Sequence, residues 1–190
     1  MNCNLRIFII SNSSSGLYEF RNEVVEDLLS DHDVYISLPD EDAYTKILAD
    51  SGCHIFHTPF NRRGMNPISD VLLMFRYIRL IRMIKPNMVF TYTIKPNIYG
   101  GMACRLTHTN YATNITGLGT AIQGGGILSK VLIKMYRIAL NKAKAVFYQN
   151  EYNMGFMLGQ RVSDKEQSIL HPGSGVNRTK HSYKQYPSED

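Results

Sequence analysis

Residues 88–120 read MVFTYTIKPNIYGGMACRLTHTNYATNITGLGT and contain two apolar, strand-like segments, Met88–Tyr92 and Tyr111–Ile115. Each is followed directly by a polar or glycine-rich segment, TIKPN after the first and TGLGT after the second. One helix, predicted over Asn97–Thr107, fills the space between them, so the two strands are predicted to run parallel. Open α/β sheets bind ligands at the edge where parallel strands end. The stretch therefore predicts a ligand site beside the two polar segments, for an anionic or sugar-like ligand.

Apolar runs and amphipathic segments alternate over the rest of the chain as well. The other predicted strands are Leu5–Ser11, Asp33–Leu38, Cys53–Thr58, Ala145–Tyr148 and Ser168–His171. The other predicted helices are Leu17–Ser30, Ala43–Ser51, Pro67–Lys85, Leu128–Lys142 and Glu151–Gly159. Residues 117–126 contain five glycines and are predicted to form a mobile loop. This order predicts an α/β fold, a doubly wound and mostly parallel sheet of about seven strands with helices on both faces.

The length of 190 residues suits one domain with a substantial core and is short for two. We expect a Rossmann-like domain over residues 1–176. Residues 177–190 are polar and are predicted to be a linker or a truncated end, after which a further domain is expected.

The amino-acid composition indicates which partners the chain could bind and in which cellular compartment it is expected. The formal charge of +5 favours anionic partners, although solubility alone also accounts for it. Three scattered cysteines without a Cys-x-x-Cys pair predict reduced thiols in the cytoplasm, and six histidines lack metal-ligand spacing. His57 and His171, at predicted strand ends, are the two histidines to test.

No apolar run approaches the ~20 residues of a spanning helix, so any membrane contact is expected to be peripheral. We expect no metal and no nucleic-acid partner.

The loop after the first predicted strand, Ser11–Gly16, reads SNSSSG. It lacks the Gly-x-Gly-x-x-Gly fingerprint and the phosphate loop, yet small residues before a helix allow amides to contact an anion. The predicted contacts are Ser13, Ser14, Ser15, Gly16 and, one turn into the helix, Arg21. The alternatives are that Ser15 only caps the helix and that Arg21 is solvated. Arg62 and Arg63 are a second candidate clamp for phosphate, or a solvated turn.

Three acidic residues, Asp40–Asp42, follow the second predicted strand. A nicotinamide-binding domain places a ribose-binding acid there, so an oxidoreductase domain is an alternative function. Without the glycine fingerprint, a helix cap is the preferred interpretation.

The polar segments after the fourth and fifth predicted strands supply the remaining candidates. Lys95 precedes Pro96 in a rigid turn and is a candidate point charge for phosphate, or a surface lysine. The amides of the glycine turn are a candidate nest for sugar hydroxyls or phosphate, or only a tight turn. The predicted substrate contacts here are Thr93, Lys95, Asn97, Thr116, Gly117, Gly119 and Thr120.

Two helices carry basic residues beside apolar ones. The basic residues are Arg76, Arg79, Arg82 and Lys85 on one helix, and Lys130, Lys134 and Arg137 on the other. Such faces suit an anionic membrane surface, and a non-enzymatic, membrane-recruiting module is a further alternative. An ordinary helix with a solvated face gives the same pattern and is preferred.

Four segments together resemble a known family: TIKPNIYG at Thr93–Gly100, ITGLGT at Ile115–Thr120, FYQNE at Phe147–Glu151 and PGSGVN at Pro172–Asn177. The chain resembles the amino-terminal domain of family 4 glycosyltransferases, in the branch that builds bacterial capsules, O-antigens and related glycans. The likeness extends from the first strand to Asn177.

The resemblance implies the two-domain GT-B architecture. The first domain would receive the acceptor, often a polyprenyl-diphosphate-linked sugar at the inner face of the cytoplasmic membrane. The second, absent here, would bind the nucleotide-sugar donor. Transfer would retain the anomeric configuration without a metal or other cofactor. Glu151 is a predicted contact for a sugar hydroxyl, and the isolated domain is expected to be inactive.

The sequence departs from the family pattern in three places. Phe90 and Tyr92 stand where many relatives carry a His-x-His, and Thr116-Gly117 stands where many carry His-Gly. No histidine role is therefore carried over, and Thr116 is only a positional candidate for catalysis. The donor motif of two glutamates eight positions apart is absent.

Overall fold

The structure is a computed structural model and describes residues 4–62 and 66–175. The strands are β1 (Arg6–Ile10), β2 (Asp33–Leu38), β3 (His54–His57), β4 (Met88–Tyr92), β5 (Tyr111–Ile115), β6 (Ala145–Tyr148) and β7 (Ser168–Leu170). The helices are α1 (Ser14–Asp31), α2 (Ala43–Asp50), α3 (Pro67–Ile84), α4 (Gly101–Thr107), α5 (Gly119–Gln123), α6 (Gly126–Leu140) and α7 (Glu151–Gly159). A π-helical turn, Pro96–Gly100, leads directly into α4. Arg63, Cys3 and the predicted linker at 177–190 lie outside the described residues.

All seven strands form one parallel sheet in the order β3-β2-β1-β4-β5-β6-β7. The chain moves outward in one direction from β1 to β3, and then in the other direction from β4 to β7. β1 and β4 are therefore the neighbours at which the winding reverses, and ligands bind outside the carboxyl ends of such a pair. The predicted fold, a doubly wound parallel sheet, is confirmed.

Alternate residues of the central strands pack into two separate cores. Phe8 and Ile10 of β1 belong to the core under α3, α4 and α6, whereas Ile7 and Ile9 belong to the core under α1 and α2. Burial of both strand faces explains why β1 is an uninterrupted apolar run in the sequence.

The predicted start of the first helix is wrong. α1 begins at Ser14 and not at Leu17, because Ser13 is the N-cap: its side chain accepts a hydrogen bond from the Gly16 amide. Ser15, for which helix capping was the alternative to ligand contact, lies inside the helix.

The glycine-rich stretch 117–126 is also not a simple loop. It contains α5, and α6 begins at its last residue. Gly125 and Gly126 both have positive φ and turn the chain between these two helices. The Ser129 hydroxyl on α6 donates to the Ile122 carbonyl on α5, so a side-chain bond as well as packing joins the pair.

Among the described helices, none has the length and apolar character needed to cross a membrane. Residues 4–62 and 66–175 also contain no group of three or more potential metal ligands placed to hold an ion.

Candidate functional site

A cleft of about 320 Å³ opens at the carboxyl ends of β1, β4, β5 and β6. It lies over the point where the winding of the sheet reverses. Its lining residues lie at or after the ends of these strands, after β7, or in the first turns of α1: Ser11, Asn12, Ser13, Gly16, Leu17, Phe20, Arg21, Tyr92, Thr93, Thr116, Gln149 and Ser174. The sequence prediction that the serine-rich turn and the segments after β4 and β5 share one edge therefore agrees with the geometry.

Only some residues of the serine-rich turn line the cleft. Ser13 and Gly16 line the cleft, and the Ser13 hydroxyl lies 3.0 Å from that of Ser15. A Cβ atom at Gly16 would come within 3.3 Å of the Ser13 Cβ, so a larger residue would crowd the cap. Ser14 is buried on the other side and does not reach the cleft.

Ser14 instead joins α1 to the acidic segment after β2. Its amide and hydroxyl donate to Asp40 Oδ2 at 3.2 and 3.3 Å, and its hydroxyl donates to Asp42 Oδ2 at 2.7 Å. Asp40 also forms an ion pair with Arg62. An acid of the chain itself thus occupies the amino terminus of α1, where an anionic ligand was predicted.

Asp42 is the N-cap of α2, since its side chain accepts from the Thr45 amide at 3.0 Å. The prediction of a helix cap in this segment is confirmed. Hydrogen bonds from Ser14 and Thr45 hold the pKa of Asp42 below its usual value.

Arg21 is the cation of the cleft. Its side chain is buried, its guanidinium lies 5.5 Å from the centre of the Tyr92 ring, and it donates to the Phe20 carbonyl at 2.7 Å and to the Ser174 hydroxyl. Within the part of the chain that the structure describes, no carboxylate forms an ion pair with it. Burial lowers the pKa of Arg21, yet arginine keeps its charge in proteins. A buried guanidinium without a counter-ion, at the wall of an open cleft, favours an anionic ligand.

Gln149 completes the wall beside Arg21. With its amide in the orientation that satisfies its neighbours, the side-chain nitrogen donates to the Thr116 carbonyl at 3.2 Å. Its oxygen then accepts from Arg21 at 2.9 Å and from the Ser174 hydroxyl at 3.2 Å. The amide connects the ends of β5 and β6 with α1.

Thr93 is the strained residue of the site. Its φ is +76°, in the left-handed region that β-branched residues rarely adopt. Its hydroxyl is buried and finds no hydrogen-bond partner among the described residues, although Thr93 is one of the residues that line the cleft. Strain together with an unsatisfied polar group is typical of a residue whose conformation serves a ligand.

Other predicted contacts lie outside the cleft wall. Gly117, Gly119 and Thr120 are exposed at the start of α5, and Glu151 is exposed in the first turn of α7. A Cβ atom at Gly119, where φ is +69°, would approach Ile94 to 3.0 Å. A tight turn therefore explains this glycine without a ligand.

Lys95 and Asn97 are also turned away from the cleft. Lys95 Nζ lies 2.6 Å from Asp70 Oδ1, and both side chains are largely buried. The Tyr99 hydroxyl donates to the other oxygen of Asp70 at 3.1 Å. Asn97 is buried and donates to the Asn114 carbonyl at 3.0 Å. These contacts hold the π-helical turn between α3 and β5.

Sequence analysis did not select Asn12, Tyr92 and Gln149 as site residues. All three lie at or just after strand ends, which is the signal that could have identified them. Tyr92 and Gln149 belong to apolar or amide-rich segments, which contain neither the charges nor the glycines of an anion-binding motif. Of the two histidines chosen for testing, neither lines the cleft. His57 contacts the Pro39 carbonyl and Glu41, and His171 contacts the Gly173 carbonyl.

Solved structures share the fold at low sequence identity. MurG from Acinetobacter baumannii aligns with a TM-score of 0.60 and 13% identity over 93% of this chain and 47% of its own. HepE from Anabaena, solved with UDP and glucose, aligns with a TM-score of 0.67 and 10% identity over 90% and 45%. MnaA from S. aureus, solved with UDP, aligns with a TM-score of 0.66 and 12% identity over 98% and 50%.

The chain thus spans about half the length of the solved structures it matches. No curated protein matches the sequence. A family model described as glycosyl transferase 4-like matches residues 6–150, most of the chain and every strand except β7. The chain therefore belongs to the glycosyl transferase 4-like family.

Proposed function

We propose that this chain is the acceptor-side half of a retaining hexosyltransferase that acts in the synthesis of a bacterial surface polysaccharide, such as a capsule or lipopolysaccharide. The acceptor would be a glycan linked to polyprenyl diphosphate at the inner face of the cytoplasmic membrane. The donor, a nucleotide sugar, would be held mainly by a second domain. The chemistry would need neither a metal nor another cofactor.

The observation that carries this proposal is the cleft with one buried cation. Arg21 supplies a charge for a diphosphate, while Ser13, Asn12 and Gln149 supply hydroxyl and amide groups for sugar hydroxyls. The described lining contains no acidic side chain that would repel a diphosphate. Family membership supports sugar transfer as the reaction class.

The nicotinamide alternative finds less support. The acid it relies on, Asp40, is paired with Arg62 and accepts from Ser14 through Oδ2, and it does not line the cleft. Titration with NADH separates the alternatives, because the proposed function predicts no saturable change in its fluorescence.

Binding of geranyl diphosphate, a short analogue of the acceptor's lipid diphosphate, tests the proposed function. We expect saturable binding to the chain by isothermal titration calorimetry. Arg21→Gln should weaken it at least about tenfold, because it removes a charge-assisted contact. Arg21→Lys should keep part of the affinity, since it retains the charge but not the planar donor fork.

Arg6→Gln is the matched control. Arg6 is exposed at the opposite end of β1, so its loss should leave the affinity unchanged. Circular dichroism would establish that each variant is folded. Equal affinity of the Arg21→Gln variant and the parent chain would overturn the role of the cleft.

A further inference from the structure

The groups that surround the Arg21 side chain are neutral. Buried arginines are normally paired with a carboxylate, yet the acceptors of Arg21 on α1 and after β7 are the Phe20 carbonyl, at 2.7 Å, and the Ser174 hydroxyl. The ring of Tyr92 lies 5.5 Å from the guanidinium. Burial raises the pKa of the Tyr92 hydroxyl, so Tyr92 remains a neutral phenol and supplies no negative charge. None of these contacts cancels the positive charge of Arg21.

Gln149 contacts the guanidinium from the end of β6. Its side-chain oxygen accepts a hydrogen bond from Arg21 at 2.9 Å, a distance at which a carboxylate oxygen would form an ion pair. Glutamate has the same length and shape as glutamine, so a carboxylate would fit this position. An amide stands there instead, and its oxygen accepts N–H donors without a formal charge.

Two further hydrogen bonds fix the direction of the Gln149 amide. Its nitrogen donates to the carbonyl of Thr116, directly after β5, at 3.2 Å. The nitrogen and oxygen of an amide lie on opposite sides of its carbon, so this bond turns the oxygen toward α1. The Ser174 hydroxyl donates to the same oxygen at 3.2 Å. A side chain whose rotamer is locked by its neighbours is suited to position another group.

We propose that Gln149 is the positioning residue of Arg21 and makes the cleft selective for anions. Its neutral acceptor holds the guanidinium at the cleft wall and leaves the positive charge to the ligand. The ligand class is a phosphate or diphosphate, whose oxygens form the charge-assisted hydrogen bonds that no carboxylate of residues 4–62 and 66–175 forms with Arg21. This inference rests on the proposed function, because it concerns the same cleft.

Two variants of similar side-chain length separate this role from a purely structural one. Gln149→Glu keeps the acceptor for Arg21 and adds a negative charge, whereas Gln149→Met removes all three hydrogen bonds and adds no charge. A structural role alone would make Gln149→Met the more damaging change in every measurement. The proposed role makes Gln149→Met worse for stability and Gln149→Glu worse for anion binding.

Binding of inorganic pyrophosphate, measured by isothermal titration calorimetry, tests the proposal. Gln149→Glu should weaken binding at least about tenfold, because its carboxylate neutralises Arg21. Gln149→Met should weaken binding only about threefold, because Arg21 keeps its charge and loses one contact that orients it. In an Arg21→Gln chain, Gln149→Met should change the affinity by less than about twofold, since Gln149 acts through Arg21.

Thermal unfolding of the same variants supplies the second readout. Gln149→Met should lower the midpoint of unfolding by about 2–4 °C more than Gln149→Glu does, because it loses the acceptor for a buried guanidinium. The unfolding transitions also establish that each variant is folded.

Gln167 offers the matched control. It is half-buried like Gln149, but it precedes β7 at the opposite edge of the sheet and donates to the Leu140 carbonyl at 3.2 Å. Gln167→Glu and Gln167→Met make the same chemical changes away from the cleft. Both should bind pyrophosphate within about twofold of the parent chain, since solvent and salt screen a distant charge.

Several results would overturn the role of Gln149: pyrophosphate binding by Gln149→Glu equal to that of the parent, weaker binding by Gln149→Met than by Gln149→Glu, or an equal loss in Gln167→Glu. If the parent chain binds geranyl diphosphate and Gln149→Glu binds it equally well, the proposed function stands and the role of Gln149 falls. If the parent binds pyrophosphate but not geranyl diphosphate, and the variants rank as expected, the lipid-linked acceptor falls and the role of Gln149 stands. A parent chain that binds neither compound would overturn both.

Discussion

Thr93 combines a strained backbone conformation with a position in the lining of the cleft. The chain turns sharply between the end of β4 and the π-helical turn, and the Asn97 amide closes this turn on the Thr93 carbonyl at 2.9 Å. A glycine would adopt the positive φ without steric cost, yet a β-branched residue stands there. Thr93 lines the cleft and its buried hydroxyl has no partner among the described residues, so we infer that ligand binding accounts for the strained conformation.

The first prediction is that Thr93→Gly stabilises the chain and weakens ligand binding. Removing the Cβ relieves the left-handed strain and removes an unsatisfied hydroxyl, which should add about 1 kcal/mol to the free energy of unfolding. Urea unfolding measures the stability, and calorimetry with geranyl diphosphate measures the affinity.

Thr120→Gly is the control for this prediction. Thr120 lies in α5 with an ordinary helical φ, so the same substitution should cost about 0.5 kcal/mol there. Destabilisation at both positions would show that Thr93 is not strained.

At the scale of single elements, the N-cap of α2 predicts how the free energy of unfolding depends on pH. Hydrogen bonds from Ser14 and Thr45 lower the pKa of Asp42 in the folded chain. A lowered pKa means that the stabilisation is complete above the unfolded-state value of about 4 and is lost as the pH falls through the folded-state value. Asp42→Ala should cost about 1 kcal/mol at pH 7, and this difference should shrink below pH 4.

The measurement is urea unfolding of both chains at several pH values. Asp50→Ala serves as the comparison, because Asp50 is the last residue of α2, where a negative charge opposes the helix dipole. It should be neutral or slightly stabilising. If the loss in free energy of unfolding caused by Asp42→Ala grows as the pH falls, Asp42 does not have a lowered pKa in the folded chain.

The buried ion pair between Lys95 and Asp70 links α3 to the π-helical turn. Lys95→Met should destabilise the chain by about 3–5 kcal/mol, because it leaves the Asp70 carboxylate buried without its cation. Adding Asp70→Leu should recover part of that loss, since the unpaired charge is then gone. Unfolding of the two single variants and the double variant forms a thermodynamic cycle.

Lys46→Met, at an exposed position, should change stability by less than about 0.5 kcal/mol. The same variants test the earlier prediction that Lys95 binds substrate. If a folded Lys95→Met, Asp70→Leu chain binds geranyl diphosphate as the parent does, Lys95 is a structural residue.

Elements were predictable from the sequence where one periodic signal dominates. The boundaries of β2 and β5–β6 follow directly from apolar runs between turn residues. The start of α1 was missed because three consecutive serines compete for the cap, and only the Ser13 side chain meets the Gly16 amide. α5 was missed because glycine has low helix propensity, while tertiary packing of Ile122 and the bond from Ser129 stabilise the helix.

At the scale of the whole molecule, the order of strands and helices was enough to predict which edge of the sheet carries the cleft. It was not enough to predict which polar side chains line the cleft, because several of them pair with other residues of the chain. Parallel strands guarantee that the residues after β1, β4, β5 and β6 share an edge. Sequence position alone does not tell which polar groups are already paired. Lys95 forms an ion pair with Asp70, and Ser14 donates a hydrogen bond to Asp40. Arg21 forms no ion pair with a carboxylate of the described residues. These choices depend on long-range contacts that no local pattern contains.

The last prediction concerns the activity of the domain as a whole. The described cleft wall has one cation, Arg21, and no acid or base placed to handle a proton. Stabilising a departing nucleotide diphosphate and excluding water need further groups that close over the cleft. We therefore expect residues 1–190 to bind geranyl diphosphate but to transfer no sugar from a UDP-sugar to a polyprenyl-diphosphate-linked acceptor. Radiolabelled transfer assays measure this, with binding as the proof that the chain is folded. Turnover above the protein-free rate would mean that the lining groups alone carry out the reaction.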